Sequence, residues 1–174
     1  EGMRVVIHKL VDEVRIFSKR LTEVIQSFPE VESIVKKGLQ ARKAVLEGEV
    51  IAVGEDGSPL PFQYLMRRLR RIREAESMSR AIPVKLFLFD LLLLDGDLLI
   101  DSPYIEWRER LSEVCGEIPM VEQVVIGDID SAKRFFKKAI DQGHEGIIAK
   151  KLDSTYIPGV RGKNWLKLKE VLEP

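Results

Sequence analysis

Several short runs of the chain alternate apolar and polar residues, which is the pattern of half-buried β-strands. The pattern predicts strands at 4–9, 13–18, 44–53, 84–94, 120–126, 144–151 and 161–169. Apolar spacings of three and four, with Pro or Gly near the ends, predict helices at 29–37, 62–78, 102–114 and 130–142. Because turns or single helices join the strands, we expect an α+β domain over residues 1–174, with largely antiparallel sheets flanked by helices.

The last predicted strand carries several lysines on one face. Strict alternation places Lys163, Trp165, Lys167 and Lys169 on one side, with Leu166 and Leu168 on the other. Two interpretations remain open from this pattern. The lysines either bind a polyanion, or they are the solvated face of an edge strand that they protect from aggregation.

Acidic and aromatic residues interrupt two other strands. Glu47 and Glu49 share a face of the strand at 44–53, where a carboxylate is costly unless a cation, a divalent metal or a ribose hydroxyl lies nearby. The alternative is an exposed edge. Asp90 interrupts the apolar run at 86–94, so Phe89 beside it is a candidate for stacking on a base.

Composition limits the possible partners. The net charge is +0 with a pI near 7.0, so any site for a polyanion must be local. The single cysteine, Cys115, excludes an internal disulfide and fits a reducing cytoplasm. No apolar run reaches membrane-spanning length. One asparagine among many charged residues favours a thermophilic source.

Five short motifs occur in the order found in one enzyme family. They are EGMR at 1–4, LEGE at 46–49, FDL at 89–91, EGIIAK at 145–150 and WLKLK at 165–169. In this order and spacing the chain resembles the adenylation (nucleotidyltransferase) domain of ATP-dependent DNA ligases. The segment PFQYLMRR at 61–68 resembles the archaeal branch. The resemblance covers nearly the whole chain and implies an ATP-grasp-like nucleotidyltransferase core.

The resemblance implies an activity and its partners. Such enzymes seal nicks in double-stranded DNA during replication, repair and recombination, with ATP, which is bound as AMP on a lysine, and with Mg²⁺ or another divalent metal. The nucleophilic lysine is expected two positions before Glu1, so the chain itself is expected to be inactive. An OB-fold domain and an N-terminal DNA-binding domain are expected elsewhere in the protein. The resemblance also suggests a sliding clamp as a partner, and a monomer.

The resemblance implies roles for the residues of this chain that match the motifs of the family. Phe89 would stack on adenine, Arg4 would bind the ribose side, and Glu49 and Glu145 would hold metal or ribose. The expected nucleotide-binding cations are Lys19, Lys150, Arg161, Lys167 and Lys169. Two positions depart from the family: Lys19 stands where arginine is usual, which removes a bidentate fork, and Glu1 stands where aspartate is usual.

One conflict has to be resolved by the backbone. Strict alternation from Glu145 places Lys150 on the opposite face, although the family uses both residues in one site. We expect Glu145 to precede the regular strand, where Gly143 and Gly146 allow a bend.

Two alternatives to a DNA ligase stay open. An RNA ligase or an mRNA-capping guanylyltransferase shares this motif order. The chain could instead be a non-catalytic module that binds nucleotide or DNA.

Overall fold

An antiparallel sheet of five strands forms the centre of the molecule. In this computed structural model, residues 2–157 and 163–171 are described. The strands are β1 (Met3–Leu10), β2 (Glu13–Ser18), β3 (Lys43–Ala52), β4 (Val84–Leu94) and β5 (Asp97–Leu98), in the order β2-β1-β3-β4-β5. Every neighbouring pair is antiparallel, as predicted.

Five α-helices occur in the described part of the chain. They are α1 (Pro29–Gly38), α2 (Phe62–Arg70), α3 (Ala75–Ala81), α4 (Tyr104–Val114) and α5 (Ile129–Asp141), with short 3-10 turns at Ile25–Ser27 and Ile72–Glu74. Val5, Ile7, Leu46 and Leu88 belong to the buried core, together with Val31 of α1. In β1 and β3, alternation therefore directs one apolar face toward the core that Val31 of α1 shares, and places polar residues on the other face.

A second, two-stranded antiparallel sheet carries the lysine-rich motif. It is formed by β6 (Gly146–Lys150) and β7 (Trp165–Lys169). Gly146 is required here, because a Cβ at this position would lie 1.9 Å from the carbonyl oxygen of Leu168. The fold class expected from the sequence is thereby confirmed.

The helix predicted at 62–78 is wrong as one continuous helix. The chain leaves helical geometry at Arg71, with φ −118° and ψ 57°. Leu65 and Met78 both face the core. At 3.6 residues per turn these two positions would lie about 140° apart on an unbroken helix, so the break is what turns both inward.

The strand predicted at 120–126 is also wrong. Within the described residues, only Met120 forms a bridge there, parallel to Leu88 on β4. Beyond Val121, whose amide donates to the Leu88 carbonyl, the chain leaves the sheet. Val124 and Val125 are 50% and 66% exposed, so the apolar alternation has no layer to pack against. No helix in the described parts of the chain is long and apolar enough to cross a bilayer.

Candidate functional site

A β-bulge places two consecutive side chains of β4 on the same side of the sheet. Gly48 pairs with Leu88 and Glu47 pairs with Asp90, so Phe89 is an extra residue in the ladder. A bulge of this kind interrupts alternation locally. Asp90 therefore lies beside Glu47, on the opposite face of the sheet from Leu88, and not on the apolar face that simple alternation would give it.

Arg4 and Tyr156 bind Glu47 on this face. Glu47 is 4% exposed and forms an ion pair with the Arg4 guanidinium. The Tyr156 hydroxyl donates to Glu47 Oε1 at 2.7 Å. A buried carboxylate is tolerated when its oxygens accept hydrogen bonds and a cation is adjacent, and Glu47 meets both conditions.

Asp90 is paired with a lysine from the other sheet. It is fully buried, and its Oδ1 lies 3.1 Å from Lys150 Nζ. Its second oxygen, Oδ2, lies 4.0 Å from Arg4 Nη2 and accepts no hydrogen bond within the described structure. The ion pair joins β4 of the central sheet to β6, so it holds the hairpin against the face that carries Glu47.

Aromatic rings surround the Lys150 ammonium group. Nζ lies 4.2 Å from the ring centroid of Trp165, and 5.1 to 5.6 Å from three further rings, those of Tyr104, Phe89 and Trp107. Phe89 is shared, because the Arg4 guanidinium lies 5.6 Å from the same ring. Cations at these distances are attracted to the faces of the rings, and the attraction strengthens where water is excluded.

Burial and neighbouring charges shift the pKa values of the residues in this cluster. Burial raises the pKa of Asp90 to about 6, with Lys150 opposing the shift and Glu47 adding to it. Burial likewise lowers the pKa of Lys150, against the charge of Asp90. The pKa of Arg4 is raised, because its hydrogen bond and ion pair with Glu47 outweigh burial. The pKa of Tyr156 is raised by burial and by its hydrogen bond to Glu47.

Two further predicted residues, Glu49 on β3 and Lys19 after β2, lie at the Arg4 end of the sheet. Glu49 is half-buried and pairs with Arg4 on one side and Phe87 on the other. Within the described residues no ion pair to Glu49 occurs. Lys19 is exposed and directly follows Ser18, whose partner in the ladder is Val5. Lys19 is therefore at the same end of the sheet as Arg4.

Glu145 faces the lysines of β7. It immediately precedes β6, and its Oε2 lies 3.3 Å from Lys169 Nζ and 3.9 Å from Lys167 Nζ. The expectation that Glu145 lies outside the regular pleat is confirmed. Burial acts against ionisation, but the hydrogen bond and charge of Lys169 keep the pKa of Glu145 below its usual range. The predicted site residue Arg161 lies outside the described residues.

The structure thus brings Arg4, Phe89 and Lys150 together and places Glu49 next to Arg4. Glu145, Lys167 and Lys169 form a second charged group on the hairpin. Sequence reasoning did not assign Asp90 or Tyr156 to the site. A carboxylate inside an apolar run was the available signal for Asp90, whereas Tyr156 gave none.

Metal ligation by protein atoms alone has little support. Within residues 2–157 and 163–171, no three Asp, Glu, His or Cys side chains come together as they would in an all-protein cage. Mg²⁺ at phosphate sites needs only one or two carboxylates, with phosphate oxygens and water completing its shell. Glu49 fits that smaller role, whereas Glu145 is already engaged by lysines.

Comparison with known proteins identifies the family. The family described as ATP dependent DNA ligase domain matches residues 1–169. A DNA ligase of Thermococcus onnurineus is 47% identical over 99% of this chain, and one of Methanothrix thermoacetophila is 47% identical over 99%. The chain spans 31% of the length of each of these two relatives.

Solved structures agree with the sequence relatives. A mycobacterial DNA ligase D, solved in complex with ATP and MES, superposes with a TM-score of 0.73 at 25% identity. The match covers 97% of this chain and 51% of that one. The resemblance first drawn from five motifs is confirmed, and the RNA ligase and capping alternatives are not favoured. The chain belongs to the family of ATP-dependent DNA ligases, and it matches their adenylation domain.

Proposed function

We propose that residues 1–174 form the adenylation domain of an ATP-dependent DNA ligase and bind the adenine nucleotide on the face that carries Glu47 and Asp90. The observation that supports this most directly is the convergence of Arg4, Phe89 and Lys150 from three separate strands. An aromatic ring flanked by two cations suits a purine nucleotide, because the ring can stack on the base while the cations attract phosphate and ribose oxygens.

We assign the cluster around Phe89 and the lysines of the hairpin to different parts of the nucleotide. Phe89 and Arg4 bind the adenosine part, Glu49 contacts the ribose or a metal, and Lys150 and Lys19 add positive charge nearby. Lys167 and Lys169 of the hairpin attract the phosphates, and Arg161, which lies outside the described residues, is assigned the same role. Positive charge at these positions neutralises the α-phosphate and favours departure of pyrophosphate as AMP is transferred.

A divalent cation is the proposed cofactor. Mg²⁺ would spread the charge that develops on the phosphates when it is bound. We assign Glu49 as its principal protein ligand, with Glu145 as the second candidate. Glu145 would have to exchange Lys169 for the metal, so its contribution depends on the hairpin lysines turning to the phosphates.

In the whole protein, we infer a ligase that seals nicks in double-stranded DNA through a lysyl-AMP intermediate, in replication, repair and recombination. The relatives named DNA ligase support this. A sliding-clamp partner, a monomeric state, a cytoplasmic location and a thermophilic source belong to the same proposal. The near-zero net charge predicts that this chain alone binds DNA weakly, with an affinity that falls steeply with salt.

Calorimetric titration of the chain with AMP, ATP and GTP tests the nucleotide assignment. We expect weak binding of AMP and ATP and weaker binding of GTP. Phe89→Leu keeps apolar volume but removes the π-face, so AMP affinity should fall by roughly tenfold. Phe136→Leu on α5 is the matched control, since that half-buried ring is not among the four rings that surround Lys150 in the described structure. Unchanged AMP binding by Phe89→Leu, or a preference for GTP, would contradict the proposal.

A further inference from the structure

Asp90 is the most deeply buried charged residue of the cluster, and it has no role in the site as proposed so far. Its side chain is completely buried, yet it contacts Lys150 directly and lies 4.0 Å from Arg4. A buried carboxylate without sufficient partners is destabilising, and Oδ2 accepts no hydrogen bond within the described structure. Packing alone would favour an uncharged side chain at a position that is buried this completely.

The surroundings of Asp90 contain several charged or titratable groups. Glu47 comes from β3, Arg4 from β1, Lys150 from β6, Tyr156 from the segment after β6, and Tyr104 and Arg108 from α4. Lys150 is the only one of these with a nitrogen within hydrogen-bond distance of Asp90 in the described structure. Among the cations near Asp90, Lys150 is therefore the one that the carboxylate orients directly.

We propose that Asp90 is a positioning residue for the adenine nucleotide, which holds the Lys150 ammonium group beside the Phe89 ring before the nucleotide binds. This inference rests on the proposed function. A lysine has a long, flexible side chain, and its ordering costs conformational entropy. In the folded protein, the ion pair and the surrounding rings offset the entropy lost when the Lys150 side chain is ordered. The nucleotide therefore encounters a cation that is already in place.

A pure charge effect and a positioning effect predict opposite changes in the AMP affinity of Asp90→Asn. The substitution removes one negative charge near an anionic ligand, so an effect of charge alone would tighten AMP binding. If Asp90 positions Lys150, AMP binding weakens despite the more positive site. We expect AMP affinity, measured by calorimetry on the chain, to fall by about tenfold, which corresponds to the loss of one well-oriented charge-assisted contact.

Two controls separate positioning from a general loss of structure. Asp12→Asn makes the same charge change in the exposed turn between β1 and β2 and should leave AMP affinity unchanged. Adenosine, which lacks phosphate, should lose less affinity than AMP in Asp90→Asn, whereas a loosened pocket would weaken both equally. Equal losses for the two ligands, or AMP binding as tight as in the unmodified chain, would overturn the inference.

A double substitution keeps the test valid if Asp90→Asn alone does not fold. Lys150→Met removes the cation but keeps the length of the side chain, and Asp90→Asn with Lys150→Met leaves no unpaired charge in the pair. Because Asp90 acts through Lys150, the double variant should bind AMP as weakly as Lys150→Met alone. Clearly tighter or weaker binding by the double variant would overturn the inference. An unmodified chain that binds no AMP would remove the proposed function and this inference together.

Discussion

Glu47 and Asp90 face each other directly across β3 and β4, although both are acids and both are buried, at 4% and 0% exposure. Two adjacent carboxylates in a dry environment repel, and the cations from β1 and β6 offset the repulsion. The pair therefore links the charge state of the site to the stability of the sheet.

The stability of the chain should depend on the ionisation of Asp90. Its pKa is raised to about 6 in the folded protein, above the ordinary value of 3.8, so the folded state binds the proton more tightly than the unfolded state. This contribution, on the order of 3 kcal/mol, is present below about pH 4 and is lost as pH rises through 6.

Thermal melting between pH 4 and 8 measures this dependence. Asp90→Asn does not titrate in this range, so it serves as the reference. The melting temperature of the unmodified chain should fall relative to that of Asp90→Asn between pH 4 and 6, and the difference should be constant above pH 7. A difference in melting temperature between the two chains that does not change with pH would contradict the raised pKa of Asp90.

Arg68 should be essential for stability, unlike its neighbours on α2. Its guanidinium is fully buried, forms a bidentate ion pair with Glu30, and donates to the carbonyl oxygens of Ser27 and Ile82. Arg68→Met leaves Glu30 and two carbonyls unpaired, and we expect a loss of roughly 3–5 kcal/mol in the free energy of unfolding by urea denaturation. Arg67→Met, on the exposed side of the helix, should change it by less than about 0.5 kcal/mol.

Gly146→Ala should separate the strands of the hairpin. The added methyl would overlap the Leu168 carbonyl, and no side-chain rotation can relieve a clash with backbone. We expect a loss of roughly 2–4 kcal/mol in the free energy of unfolding, together with faster proteolysis between Lys150 and Lys169. Gly127→Ala is the control, because a Cβ there has no atom within 4 Å. Similar behaviour of the two variants would show that the strands can shift without cost.

Glu49→Gln should reduce the effect of Mg²⁺ on ATP binding. A neutral amide is a poor ligand for this hard cation compared with a carboxylate. We expect Mg²⁺ to strengthen ATP binding by the unmodified chain, and expect this gain to shrink by roughly tenfold in Glu49→Gln. Glu13→Gln on the exposed part of β2 provides the same charge change elsewhere. A full Mg²⁺ effect in Glu49→Gln would assign the metal to other ligands.

Local patterns predicted the strands of the main sheet and the shared face of Glu47 and Glu49, because alternation depends only on neighbouring residues. They also indicated that Glu145 precedes the strand that begins at Gly146. The break in the helix at Arg71 was missed, since it depends on where Leu65 and Met78 must pack. Alternation likewise could not predict that residues 122–126 leave the sheet, because this depends on the absence of a neighbouring strand in the described structure.

The interior of the site was the least predictable part. Lys150 was expected from its motif to be a nucleotide-binding cation, and its observed surroundings are Asp90 and four aromatic rings. Those rings come from β4, α4 and β7, so the enclosure exists only after long-range pairing. Tyr156 is 109 residues from Glu47 along the chain, and no local pattern connects them.

The extra residue in β4 makes the strand tolerant of a deletion that would ordinarily invert its two faces. Loss of one residue from a regular strand inverts the two sides of everything beyond it. Here Phe89 is the surplus position, so its deletion would bring Leu88 and Asp90 into simple succession, with Asp90 and Leu91 still on the sides that they now occupy. The backbone therefore allows Phe89, which we propose stacks on adenine, to be lost by deletion without moving Asp90 to the other face of the sheet.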